Sequence, residues 1–253
     1  MIATLFNELL YRPFLNLLIF LYQTVAFNDL GVAIVLLTII VRFLLFPLFY
    51  KSLKNQTLLM KIQPHVKKIQ EDHKNNREHQ AKALMDLYKT HKVNPFTGIF
   101  LMLVQLPILI GLYQVFLHGF SDAGLLADVY PFITAPEHFN TFSFGLIDLQ
   151  KRHILVTLLA AFAQYLQIRL AQSRKVVGDQ GKNPMASANK VMVFVGPLIT
   201  IWILSFLPSA IGVYWLTTTV FSGVQQLLVN KRIHTDHGDM DTGKPKELRK
   251  GTS

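Results

Sequence analysis

Residues 30–50 read LGVAIVLLTIIVRFLLFPLFY. A bilayer core takes about 20 apolar residues per spanning helix, and this run is long enough while carrying a single charge, Arg42. An arginine at the centre of a span costs about 2.5–3.5 kcal/mol on insertion scales. The side chain must therefore reach water or a partner. One reading has Arg42 snorkel to the near interface. Lys51, where polar sequence begins, lies about 13 Å further along a straight helix, which is a long reach. The other reading places Arg42 in a polar interior, with Thr38 one turn earlier on the same face.

Four more apolar stretches follow, at 98–117, 153–170, 191–207 and 211–229. The fourth of the five is short, and Pro208, Ser209 and Ala210 alone separate it from the last, which predicts a tight helical hairpin. The whole chain is 51% hydrophobic and 16% charged, against about a quarter charged in soluble domains. With no cysteine, disulfides, thiolate metal sites and a cysteine nucleophile are excluded. Residues 1–29 hold a further apolar segment, Pro13–Phe27, too short to span comfortably. Arg12, Asn16 and Gln23 share one of its faces, which predicts an interfacial amphipathic helix. An uncleaved signal segment is the alternative, although Glu8 and one Arg12 make a poor basic leader.

Twenty-one of the 25 Lys and Arg residues lie in three segments: ten in 51–94, five in 169–190 and six from 230 onward. That asymmetry puts these segments in the cytoplasm, with the N-terminus outside. Residues 52–93 are polar but patterned. Leu58, Ile62, Val66 and Ile69 repeat at helical spacing, as do Ala81, Leu84 and Tyr88, around a polar turn at 73–78. This predicts a cytoplasmic helical hairpin, kinked or restarted at Pro64. Residues 118–152 form an outer loop, and 230–253 a basic tail. The expected fold is an all-α membrane protein with five transmembrane helices, the interfacial helix and the hairpin.

The last span carries Tyr214, Thr218, Ser222 and Gln225 on one stripe, with Trp215, Thr219 and Gln226 beside it. Polar groups so aligned bond to neighbouring helices or line a cavity. Gln105, Thr157 and Gln164 add intramembrane polar groups, and no span holds an acidic residue. Ion pathways normally use intramembrane Asp or Glu, so a pump is disfavoured. An intramembrane enzyme would need a nucleophile with a base or metal, and Ser205 and Ser222 have no such partner in sequence. His234, Asp236, His237, Asp239 and Asp241 read as solvated tail, so no metal site and no cofactor are expected. Asn55-Gln56-Thr57 matches a glycosylation sequon that means nothing on the cytoplasmic side. A passive assembly scaffold is the remaining rival.

Four stretches together resemble the YidC insertase family and its mitochondrial Oxa and chloroplast Albino relatives: LTIIVRFLLFP (37–47), MKIQPHVKKI (60–69), LYKTHKVNPFTGIFLMLVQLP (87–107), and residues 208–226 with Tyr214-Trp215 and Gln225-Gln226. The resemblance covers roughly residues 10–230. It implies an insertase core over 30–229 with a hydrophilic groove open to cytoplasm and lipid. It makes Arg42 the groove arginine and Thr38 its polar neighbour, with Tyr214 and Trp215 at the substrate contact. Gln105, Gln164, Thr218 and Ser222 are the further groove residues expected. The implied partners are nascent membrane proteins, the ribosome (weakly, given the short and partly acidic tail), the Sec translocon and lipid, with no nucleic-acid sequence recognised. The form expected is a short bacterial one in the plasma membrane, lacking both the large outer domain of many Gram-negative members and the lipid-anchored leader of many Gram-positive ones.

Overall fold

The computed structural model describes residues 2–118, 128–134, 136, 139–172 and 184–238. They are predominantly helical. The chain opens with α1 (Ile2–Phe6), passes through one π-helical segment (Asn7–Tyr11), and continues as α2 (Arg12–Thr24), with Pro13 in its first turn, where the missing N–H is harmless. Leu15, Leu18 and Ile19 are fully buried in a core shared with α3 (Leu30–Leu44) and α6 (Thr97–His118). The polar stripe of α2 does lie on one face, but while Arg12 pairs with the Glu8 carboxylate, Asn16 and Gln23 bond to backbone groups of the outer loop. Asn16 Nδ2 donates to the Asp128 carbonyl at 2.9 Å, Asn16 Oδ1 accepts from Tyr130 N at 2.7 Å, and Gln23 Nε2 donates to the Thr134 carbonyl at 2.9 Å. Loop peptide groups packed over a helix need such partners, which a reading of α2 in isolation does not supply.

Asp29 caps α3, its Oδ1 accepting from Val32 N at 3.1 Å. The helix ends at Leu44, and α4 (Phe46–Asp72) leaves at 70°. The run 30–50 is therefore not one straight span. Pro47 sits in the first turn of α4, where its ring would clash with the carbonyl four residues back if α3 continued. In contrast, α4 runs unbroken through Pro64, so the expected restart there does not occur. After a short turn, α5 (Arg77–Thr90) is capped by Asn76. Its Leu84, Leu87 and Tyr88 pack with Leu58, Ile62 and Val66 of α4; all but Leu87 belong to the periodic set read from the sequence, whereas Ile69 and Ala81 of that set are not in the cluster.

Helix α6 matches its predicted span within a residue at each end. The outer loop contains a small antiparallel ladder, β1 (Phe142–Ser143) with β2 (Ile147–Asp148), a minor departure from an all-α fold. Then come α7 (Ile154–Gln172), α8 (Pro184–Leu204) and α9 (Ser209–Gly238). Among the described residues the most extensive helix packing is α9 against α7. Gly212 permits it, because a Cβ there would come within 2.7 Å of Val156 Cγ1. The last two helices are joined by a short connection as predicted, but α8 packs mainly on α7 and touches α9 little.

Among the described residues, α6 and α7 are long and apolar enough to cross a membrane, and the bent α3–α4 pair passes the same test when taken together. Helix α9 runs past residue 230, where the tail was expected to start, and residues 239–253 lie outside the described residues.

Candidate functional site

The bend moves Arg42 from mid-span to the last turn of α3. Its side chain does not run free to an interface. Arg42 is 5% exposed, its guanidinium carbon lies 4.3 Å from the centre of the Phe49 ring, and Nη2 donates to Gln105 Oε1 at 3.4 Å. Gln105 Nε2 in turn donates to the Tyr214 hydroxyl. One side chain each from α3, α6 and α9 thus forms a polar chain, with α4 closing it from the cation's ring face. The amide of Gln105 bridges because it has both an acceptor and donors. Among the described residues no carboxylate pairs with Arg42, and its Nη1 is buried without a hydrogen-bond partner. A buried charge lacking a counter-ion is costly. Cation–π contact with a desolvated ring recovers up to about 2 kcal/mol.

Further unpaired polar atoms lie along the neighbouring stretches of α4 and α9. Ser52 Oγ and both amide atoms of Gln225 are buried with no partner among the described residues. Below them Gln226 Nε2 donates to Thr57 Oγ1 at 3.1 Å, and Leu53 packs on Val229. The Asn55 side chain holds α4 to the start of α6. Its Nδ2 donates to the Asn94 carbonyl at 2.7 Å, and its Oδ1 accepts from Asn94 N at 2.9 Å.

Of the residues singled out from sequence, Arg42, Gln105 and Tyr214 come together. Thr38 is buried, but its hydroxyl donates to the Ile34 carbonyl of its own helix at 2.6 Å. Trp215 is half-buried against the main core, Thr218 is half-buried and Ser222 is 9% exposed. All three follow Tyr214 on α9 without bonding to Arg42. Gln164 is elsewhere: its amide oxygen accepts from the Thr200 hydroxyl of α8, at the α7–α8 seam. Sequence reasoning missed Phe49 and Asn55. Pro47 was the available signal for Phe49, since a helix restart there brings the first turn of α4 back towards Arg42. Nothing local pointed to Asn55, whose partners are about forty residues on in sequence.

Apolar helices enclosing an arginine, amides and a tyrosine define a helical integral membrane protein with a polar interior. Residues 20–236 match the model of the family described as 60Kd inner membrane protein, and the chain belongs to that family, the YidC/Oxa group. It is 36% identical over 219 residues to the membrane protein insertase YidC of Nitratidesulfovibrio vulgaris strain DP4, covering 85% of this chain and 37% of the relative. The protein of the same name from Geobacter sp. strain M21 is 29% identical over 222 residues, 88% of this chain and 37% of the relative. That of Francisella philomiragia subsp. philomiragia is 31% identical over 209 residues, 82% and 33%. The chain spans less than two fifths of the length of these curated relatives.

Proposed function

We propose that this chain is a membrane protein insertase and chaperone of the bacterial plasma membrane, acting on newly synthesised membrane proteins through the polar interior at Arg42. The observation that carries the reading is the buried, carboxylate-free Arg42–Gln105–Tyr214 chain inside an apolar bundle, in a member of a family whose relatives bear the insertase name. In this reading five helices span the membrane, the α4–α5 pair stands on the cytoplasmic face, and the positive-inside asymmetry sets the N-terminus outside and the C-terminus in the cytoplasm. Residues 1–29 lie at the outer interface, 30–229 form the core, and 230–253 are a cytoplasmic tail. The ribosome and the Sec translocon are the proposed macromolecular partners.

The mechanism needs neither nucleotide nor cofactor, and no covalent step is proposed. Polar side chains draw water part-way into the bilayer and shorten the apolar barrier. Arg42 attracts the acidic or polar outer segment of a substrate. Thr38, Gln105, Gln164, Tyr214, Trp215, Thr218 and Ser222 are assigned to the surface along which the substrate passes, Gln164 at its α7–α8 margin. The substrate's apolar helix then leaves sideways into lipid, driven by burial worth about 25 cal/mol per Å², with the membrane potential favouring outward movement of acidic segments.

The test places a photoreactive residue at Thr218 and supplies a stalled ribosome carrying a single-span nascent chain. Crosslinks that require the nascent apolar segment support the reading. Their absence with folded protein and bound ribosomes refutes a substrate-facing interior and favours a scaffold.

A further inference from the structure

The residue that covers Arg42 belongs to a different functional part of the molecule. Phe49 sits on α4, beyond the 70° bend and on the helix that carries the α4–α5 pair, yet its ring lies 4.3 Å from the guanidinium and is itself 7% exposed. The position of α4 therefore decides whether that ring face is present. Three attachments fix this position: the Asn55 amide on Asn94, the Thr57–Gln226 hydrogen bond and the Leu53–Val229 contact. All are beyond Phe49 on the same helix. The joint itself is a local change of direction. Leu45 has left helical geometry at φ −89°, ψ 2°, although its N–H still bonds to the Val41 carbonyl and its own carbonyl accepts from Phe49 N, each at 3.0 Å. On the helices that meet there, Arg42 Nη1, Ser52 Oγ and the Gln225 amide are buried and unbonded among the described residues. Buried polar atoms without partners favour any movement that lets water reach them.

We propose that Phe49 is a positioning residue for Arg42, and that α4 pivots at Leu45 to uncover the arginine when the α4–α5 pair is displaced. Docked, α4 holds the ring over the guanidinium and the site is closed. Undocked, the ring moves away, water enters, and Arg42 becomes available to an acidic substrate segment. The inference rests on the reading of Arg42 as the substrate-attracting charge and adds how access to it is controlled.

The chain contains no cysteine, so a Leu53→Cys/Val229→Cys pair gives one defined crosslink between α4 and α9. The full-length variant is reconstituted in proteoliposomes and assayed for insertion of a single-span substrate with an acidic outer segment, beside Arg42→Ala. The expected result is a crosslinked protein as slow as Arg42→Ala, recovering fully on reduction. Failure of the pair to crosslink in the bilayer would mean that α4 does not dock on α9, and would overturn the proposal. If Arg42→Ala inserts normally, the reading of Arg42 falls and this inference with it. If Arg42→Ala is slow while the crosslinked protein is as fast as the reduced one, the pivot alone falls. A second pair of variants tests the ring. Phe49→Leu should favour the open state by roughly tenfold and speed the acidic substrate, while Phe49→Tyr keeps the wild-type rate. Equal behaviour of the two would show that the ring face does not hold Arg42.

Discussion

The two ends of α3 treat their polar groups in opposite ways. At its start, Asp29 caps the helix, accepts from Ser143 Oγ at 2.9 Å and from Phe144 N at 2.5 Å, and so ties the outer loop to the bundle. The same loop is fastened to α2 through Asn16 and to α9 through Ser209, whose hydroxyl donates to the Lys151 carbonyl at 2.6 Å. An exception among the described residues is His153 Nδ1, buried without a partner. At the other end of α3, Arg42, Ser52 and Gln225 all hold buried polar atoms that nothing among the described residues satisfies. A satisfied polar network rigidifies a structure, and a half-satisfied one destabilises it. One end is built to stay shut. The other leaves hydrogen-bonding capacity that, on the proposed function, a substrate takes up.

The sharpest break in this comparison comes from Arg42→Ala. Loss of a charge-assisted contact of roughly 1.5–3 kcal/mol should slow insertion by about ten- to a hundredfold, while thermal unfolding in detergent is unchanged or shifts upward because an unpaired buried charge is gone. A large fall in melting temperature would make Arg42 a structural residue. Asp29→Ala should do the reverse. It removes a helix cap and two loop anchors, a loss of about 2–4 kcal/mol read as a lower melting temperature, with insertion per folded molecule intact. Slower insertion at full stability would overturn its assignment to the rigid end. Gly31→Ala is expected to cost about 1–3 kcal/mol, because a Cβ there would collide with the Ser143 side chain. The added Ser143→Gly change should recover most of that loss.

The smallest effect is at Asp148. The hydrogen bond from Lys151, with help from the Gln150 N–H, holds its carboxyl below the usual carboxylate range. Stability from this pair is present above the unfolded-state pKa and lost as pH falls through the lower folded value. Lys151 is 79% exposed, so screening keeps the contribution small. Asp148→Asn should leave the melting temperature at pH 7 nearly unmoved and slightly flatten its decline below pH 4. A loss comparable to that of Asp29→Ala would show that the loop's ion pair, rather than its caps, fastens the outer end.

Helix existence was legible because apolar length and period are local: α6 and α7 fall almost where the sequence put them, and the α4–α5 cluster contains Leu58, Ile62, Val66, Leu84 and Tyr88 of the periodic set. The bend was hidden because apolar sequence continues through it, from Phe43 to Tyr50, and hydropathy alone does not distinguish one straight helix from two angled ones. Pro47 marked the place. Arg42, Gln105 and Tyr214 were recognisable as polar residues in apolar settings, but their meeting depends on the rotation of three helices. Gln164 illustrates the risk, having the same chemistry and a different neighbour. Asn55 reads in sequence only as part of a sequon, because its partners lie far along the chain, whereas Asp29, an N-cap residue type directly before an apolar run, carries a local capping signal.

Helix α9 is the last described element in the chain, yet it packs on α3 and α7 and carries Tyr214. Chains emerge from the N-terminus onward, so every earlier helix is made before the one that completes the polar chain. Until residue 214 arrives, Gln105 lacks its tyrosine and the seam beside Phe43, later covered by the Phe221 ring at 5.3 Å, stands open. The order of synthesis thus makes the polar chain complete only after the described helices before α9 have been made, and a chain truncated before α9 has its arginine but no finished place to use it.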